Sequence, residues 1–294
     1  MGNMNRFDRD RFDAMGKEAM SRVEEIMNST RLNELLHRKE EEDKKINLFL
    51  IEEPESHLHR SMQIALSHVL FSENKYRYLF ITTHSPYVLA EMDQVNLVRI
   101  YNADKIVSRS VLYVVPEEFK EQRKMLNRGL TEAIFADKVL LVEGPSEMVL
   151  FGKVLSEKNP FYEADGIYIL SVGGFGFKPY QSILNALKIY NVVKTDNDLR
   201  KPRNKETYSV LGFMRLNGLI GETILPEDPV NEKSVAAKRE LYDKNRETLD
   251  RIRSNYSLYL SRCSLEEDLD EVIHDKMVEY LPSADGNVIG YLQE

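Results

Sequence analysis

The chain has 294 residues, enough for two ordinary domains, with 42% hydrophobic and 30% charged residues, a balance expected of a soluble globular protein. A net charge of -8 argues against a general polyanion binder, and the single cysteine, Cys263, excludes an internal disulfide framework and a cysteine-based zinc site. No apolar run approaches the ~20 residues that cross a bilayer, and the charged first twenty residues lack the apolar core of a secretory signal, so a cytoplasmic protein without a membrane partner is expected.

In chain order, residues 17–43 carry Val23, Ile26, Met27, Leu32, Leu35 and Leu36 at helical spacing among charges. The acidic knot Glu40-Glu41-Glu42-Asp43 follows, and then a short apolar run, 46–51, that predicts a buried strand. A helix is expected over 61–70 and a second strand over 78–82; strand, helix, strand implies a parallel sheet. Residues 96–101 and 110–114 are further strand candidates, and 117–136 reads as an amphipathic helical connector. A second α/β series then begins. Its elements are a strand over 138–142, a helix over 146–155 entered through Pro145, a strand over 167–172, a helix over 182–189 and a strand over 192–194. Helical pieces near 207–219 and 232–253, a strand near 257–260 and a last helix over 269–280 complete the chain. The domain boundary is expected near residue 130, dividing the chain into 1–129 and 130–294.

Two constellations carry chemistry. In the first, Leu48-Phe49-Leu50-Ile51 runs into Glu52-Glu53, and about thirty residues later Leu79-Phe80-Ile81-Thr82-Thr83 runs into His84. Apolar strands that deliver carboxylates to the carboxyl edge of a parallel sheet suit magnesium-assisted nucleotide hydrolysis, where one acid holds the ion and the next polarises water. No Gly-x-x-x-x-Gly-Lys-Ser/Thr loop occurs in the sequence, so ATP is expected only if another chain or an N-terminal segment supplies one. His57, His59 and His68 match no ligand spacing and read as surface or capping residues.

In the second, an apolar strand delivers Glu143, Gly144 permits a tight turn, and Glu147 falls in the first turn of the next helix, close enough to share a cation. About fifty residues on, Asp196-Asn197-Asp198 ends another strand. Alternate residues of an extended chain point the same way, so both aspartates can face one site. Such oxygen donors suit Mg²⁺ or Mn²⁺. A turn rich in Asx residues is the plainer reading of the aspartates taken alone. Gly173-Gly174-Phe175-Gly176 reads as a strand-to-helix turn rather than a phosphate loop, and Cys263 as a packed small residue. Lys194, Arg200, Lys201, Arg203 and Lys205 form a basic stretch around the aspartates, either a solvated surface or a hold on a phosphate backbone.

The strand followed by Glu143-Gly144-Pro145-Ser146-Glu147, with its later aspartate pair, resembles the Toprim fold of topoisomerases, primases and RecR-like proteins. A topoisomerase would need a tyrosine in a separate cleavage domain, and a primase would add zinc ligands. The Glu52-Glu53-Pro54-Glu55-Ser56-His57-Leu58-His59 and Thr82-Thr83-His84-Ser85-Pro86 segments, with Phe135-Ala136-Asp137-Lys138-Val139-Leu140-Leu141-Val142-Glu143-Gly144, resemble the overcoming-lysogenization-defect nucleases. Those include the nuclease subunit of Gabija-type phage defence. The resemblance implies an α/β chain in which the C-terminal half of an ABC-type ATPase domain is followed by a Toprim domain, a Rossmann-like parallel sheet with a helical insertion. It implies Glu52, Glu53 and His84 at the nucleotide, the histidine toward the γ-phosphate. It further implies a third acidic cluster, Glu266 and Asp268, completing a two-metal site with Glu143, Glu147, Asp196 and Asp198, and a charge-stabilising lysine for which Lys276 is the nearby candidate. The implied function is a Mg²⁺- or Mn²⁺-dependent DNA endonuclease or nickase in antiviral defence. The implied partners are DNA, further copies of the chain through the ATPase half, and a defence-system protein. The alternative is an incomplete or scaffold subunit of a split ATPase–nuclease.

Overall fold

The computed structural model describes residues 48–72, 78–90, 96–102, 107–114, 128–173 and 176–281. The helix expected over 17–43 and most of the 117–136 connector lie outside them. The described residues pack as two units. One runs to Val98 and takes in Val114–Phe135; the other comprises Arg99–Tyr113 and the residues from Ala136 onward. Among the described residues, no helix is long and apolar enough to cross a membrane.

In the first unit, β1 (Leu48–Glu52) and β2 (Tyr78–Thr82) pair in parallel, Leu48 opposite Tyr78 and Glu52 opposite Thr82. Helix α1 (Arg60–Ser72) makes the crossover between them. The short α2 (Pro86–Ala90) packs against α1 and against α3 (Arg128–Ile134), and Val88, Leu130 and Ala133 are fully buried there. The apolar run at β1 predicts burial on both faces, yet burial alternates along both strands. Leu50 and Phe80 stand 73% and 59% exposed, on the face that carries no covering layer among the described residues. A strand is buried on both sides only when both faces of its sheet are covered.

Between Asn96 and Val114, β3 (Asn96–Asn102) and β4 (Ser108–Val114) form a two-stranded sheet. Arg99 leaves β3 with its side chain 11% exposed and donates to the carbonyls of Leu187, Lys188 and Ala136 at 3.3, 3.5 and 3.2 Å. It thereby satisfies carbonyls at the end of a helix, where orphan acceptors and the helix dipole both favour a cation.

The second unit is built on a four-stranded sheet in the order β10-β7-β5-β6, parallel throughout. The strands are β5 (Lys138–Val142), β6 (Ile167–Ser171), β7 (Tyr190–Thr195) and β10 (Leu258–Leu260). Strand β5 lies between two neighbours, and Leu141 and Val142 are fully buried, which is why its sequence is continuously apolar. Helix α4 (Pro145–Lys158) connects β5 to β6, and α5 (Phe177–Ala186) connects β6 to β7. Helix α5 begins earlier than the periodicity suggests, directly after Gly176, and buries Phe177, Tyr180 and Leu184.

Since β6 lies on one side of β5 and β7 on the other, the chain reverses its winding beside β5. In open parallel sheets the crevice at the strands' carboxyl ends, at such a reversal, is where ligands bind. Between β7 and β10 are inserted the hairpin β8 (Leu199–Arg200) and β9 (Ser209–Val210) with helices α6 (Leu211–Ile220), α7 (Val235–Lys244) and α8 (Arg246–Tyr256). Helix α9 (Leu265–Tyr280) follows β10, is capped by the Ser264 hydroxyl on the Glu267 amide, and breaks its helical geometry at Ile273.

Replacing Arg99 by methionine removes the donor shared by these carbonyls while keeping the aliphatic stem. The expected cost is about 1–3 kcal/mol, read from urea-induced unfolding; an unchanged midpoint would deny the residue any structural part.

Candidate active site

Glu143 follows β5 directly and is tied across to β7. Its Oε1 accepts from the Thr195 hydroxyl at 2.6 Å, the Asp196 amide at 2.8 Å and Arg215 Nη1 at 2.7 Å. Burial lifts the Glu143 carboxyl above its ordinary pKa, against the lowering pull of those donors. Glu147 sits in the first turn of α4, almost fully buried. Its Oε2 accepts the Gly144 amide at 2.7 Å, so one oxygen closes the start of the helix in the manner of a capping box. Its Oε1 accepts Lys194 Nζ at 2.8 Å.

The alternation read from Asp196-Asn197-Asp198 is seen in the packing. Asn197 is wholly buried; its amide donates to the Lys238 and Arg262 carbonyls at 2.9 and 3.2 Å, and its backbone N–H to the Cys263 carbonyl. With the middle residue pinned inward, the aspartates on either side face the opposite way. Asp196 Oδ1 accepts Lys194 Nζ at 2.6 Å and the Ser261 hydroxyl at 2.9 Å, and Asp198 Oδ2 lies 3.0 Å from Arg215 Nη1. Two internal cations therefore stand among four carboxylates, Lys194 between Glu147 and Asp196, Arg215 between Glu143 and Asp198. Burial pulls the Lys194 ammonium toward a lower pKa, but Asp196 and the hydrogen bonds to Asp196 and Glu147 outweigh it and hold the pKa above the ordinary lysine value.

A cleft of about 550 Å³ opens over this cluster, lined among others by Glu143, Glu147, Asp196, Arg215, Lys178 and Glu266. Of the third acidic pair, Glu266 reaches the cleft wall from the start of α9. Asp268 accepts the Cys263 amide at 3.0 Å, and burial raises its pKa, with the charge of Asp196 adding to the rise. Glu267 between them is an ion-pair partner of Lys238 at 2.6 Å. Lys276 is exposed on α9 beyond the break at Ile273 and is not among the residues lining the cleft.

Sequence reasoning missed three residues here. Lys194 counted only as part of a basic stretch, and Arg215 was not singled out at all, because which cations reach a carboxylate is decided by packing. Gly212 carries a signal only in the structure. A Cβ there would stand 2.6 Å from the Asp196 carbonyl oxygen and 2.9 Å from Asn197 Cα, both backbone atoms. Glycine lets α6 press against the aspartate loop, which brings Arg215, one turn on, to Glu143 and Asp198.

The basic residues Arg200, Lys201, Arg203 and Lys205 are exposed at the β8–β9 hairpin, immediately after Asp198. In the first unit, Glu52 ends β1 and Glu53 follows with a left-handed backbone, φ 41°, unusual for glutamate. Glu53 Oε1 lies 3.3 Å from His84 Nε2, both side chains open to solvent. Glu55 Oε1 accepts the Thr83 hydroxyl and the His84 amide, each at 2.7 Å, so this third acid fixes the turn that presents the histidine.

Residues 134–198, which contain Glu143, Glu147 and both aspartates, match the family described as overcoming lysogenization defect protein-like, TOPRIM domain. Residues 20–89 match the AAA ATPase domain family. An Endonuclease GajA of Bacillus cereus strain VD045 is 41% identical over 270 residues, 88% of this chain and 46% of that protein. Over the Toprim-matched segment and beyond, the chain is thus similar to overcoming lysogenization defect proteins. The Old nuclease of Escherichia phage P2 is 32% identical over 174 residues, 53% of this chain and 29% of that protein. The chain thus spans less than half the length of these relatives. The C-terminal region of the Burkholderia pseudomallei OLD protein superposes with a TM-score of 0.37 at 22% identity, covering 51% of this chain and 66% of that one. The α/β fold with its parallel sheet, an ATPase segment ahead of a Toprim domain, is as the sequence implied.

The donor set is all oxygen, partly buried and multiply anionic, which suits a hard divalent ion. As they stand, no three His, Cys, Asp or Glu side chains among the described residues converge closely enough to grip one, the internal cations lying between them. Gly212→Ala is expected to force the aspartate loop outward, lowering stability by about 1–3 kcal/mol as overpacking does and shifting the Asp196 and Asp198 amide resonances. A variant with wild-type melting and unshifted resonances would show that the contact carries no strain.

Proposed function

We propose that the chain is the metal-dependent, DNA-cleaving part of an overcoming-lysogenization-defect nuclease, with an ATPase portion to about residue 129 and a nuclease portion from 130. The observation that carries the reading is the meeting of Glu143, Asp196 and Asp198 at the carboxyl ends of β5 and β7, within the Toprim-matched segment. The endonuclease named among the relatives supports DNA as the substrate class.

Glu143, Asp196 and Asp198 would hold a divalent ion, with Glu266 and Asp268 adding charge from the start of α9. When bound, such an ion supplies Lewis-acid activation of water and stabilisation of the charge developing on a phosphodiester. Arg215 holds Glu143 and Asp198 in register; released from them, its guanidinium is placed to take phosphate oxygens in a paired, charge-assisted geometry. The exposed hairpin cations Arg203 and Lys205 would follow the phosphate backbone. Glu52, Glu53 and His84 form the nucleotide edge, with ATP requiring a phosphate-cradling loop from outside this sequence. Association of copies through the ATPase portion, an antiviral role and a defence partner follow the family. The missing loop motif also supports a second reading, a subunit that acts only with a segment supplying that loop.

Incubation with supercoiled plasmid and Mg²⁺ or Mn²⁺, without nucleotide, is expected to give nicked circles, abolished in Glu143→Ala and in Asp196→Ala. Cutting that survives both changes would sink the site, and a folded but inert wild type would favour the dependent subunit. For DNA affinity, Arg203→Ala with Lys205→Ala should flatten the slope of log K against log salt by roughly 0.9 for each phosphate no longer neutralised. An unaltered slope would remove the hairpin from the interface.

A further inference from the structure

We infer that Lys194 takes the place of one of the two ions expected at this site, so that the Toprim unit binds a single divalent cation beside a resident ammonium. The inference rests on the metal-dependent reading above. Its ground is how the two carboxylate pairs are occupied. Lys194 Nζ lies 2.8 Å from Glu147 Oε1 and 2.6 Å from Asp196 Oδ1, with only 12% of its side chain exposed. It leaves β7 two residues before Asp196 and so shares that residue's face of the strand.

Further capacity of this pair is taken on Glu147 Oε2 and Asp196 Oδ1. Glu147 Oε2 accepts the Gly144 amide that starts α4, and Asp196 Oδ1 accepts the Ser261 hydroxyl as well. An ion entering between Glu147 and Asp196 would meet a positive charge already in hydrogen-bond contact with both. Expelling that charge would leave a buried ammonium unpaired or drag it into solvent, and breaking such a pair costs far more than never forming it.

The other bridge differs. Arg215 stands 27% exposed on a long arm, and its partners Glu143 and Asp198 are 26% and 38% exposed. Water reaches this pair, so its ion bridge is weaker and exchangeable. The ion therefore belongs on the Arg215 side, while Lys194 neutralises Glu147 and part of Asp196 and positions Asp196 toward it.

Mn²⁺ separates one ion from two, because neighbouring ions in one site couple magnetically and an isolated ion does not. Electron paramagnetic resonance of the full chain saturated with Mn²⁺, without nucleotide, is expected to show an isolated ion, with Asp198→Ala identifying the share of signal from this site. Lys194→Met should convert the spectrum to that of a coupled pair, and Lys194→Arg should keep the isolated ion. A coupled pair in the wild type would overturn the inference and leave the metal-dependent reading standing. An isolated ion in a folded Lys194→Met protein would overturn it too. Should Lys194→Met not fold, the wild type and Lys194→Arg decide alone, isolated ions in both supporting the inference. If Asp198→Ala removes no signal at all, the metal-dependent reading fails, and the inference with it.

Discussion

Four carboxylates cannot sit at one end of a small parallel sheet without compensating charge, and this chain supplies it from inside. Lys194 and Arg215 each bridge one carboxylate of the β5–α4 segment to one aspartate of the β7 loop. Bare, these acids would repel one another and oppose the pairing of β5 with β7. Bridged, they tie the carboxyl ends of the two strands together. The bridges also set the terms on which any external cation enters, since an ion must compete with a guanidinium on one side and with a buried ammonium on the other.

The surroundings serve the same arrangement. Asn197 anchors the aspartate loop to the carbonyls of Lys238 and Arg262, which fixes which way its neighbours face. Gly212 allows α6 to lie against that loop and deliver Arg215. Ser261, just beyond β10, holds the Asp196 carboxylate. The helical insertion between β7 and β10 is thus a structural wall of the site: α6 brings a cation, and α7 brings a carbonyl that pins the loop. The cleft above, of about 550 Å³, opens onto these residues.

The ATPase segment uses similar local means for a different edge. Glu55 is spent on the Thr83 hydroxyl and the His84 amide, so the turn after β2 is held while the His84 ring and Glu53 stay open to solvent. The acid that looks like an appendage of the glutamate pair is the one with the clearest structural duty. Its second oxygen is buried without a partner among the described residues, a cost borne where the turn is made rigid.

Much of this was legible in the residues. Apolar runs ending in carboxylates located β1 and β5, and in β5 the reason holds fully, because a strand at the middle of a parallel sheet must be apolar on both faces and its polar functions can sit only at its end. The spacing of Asp196 and Asp198 gave their common direction, since side-chain alternation is a property of the backbone alone. Limits came where covering layers and partners are decided far away in sequence. Leu48 and Leu50 read as buried, yet the face they share carries no covering layer among the described residues, because burial belongs to the layer opposite and not to the strand. Glu147 read simply as a cation ligand, while its first-turn position also commits one oxygen to the Gly144 amide. The sequence by itself determined which acids stand at the strand ends and that they share a face. Only the tertiary structure decided which cations stand between them, because Lys194 and Arg215 lie 47 and 72 residues from the glutamates they neutralise and meet them through packing alone.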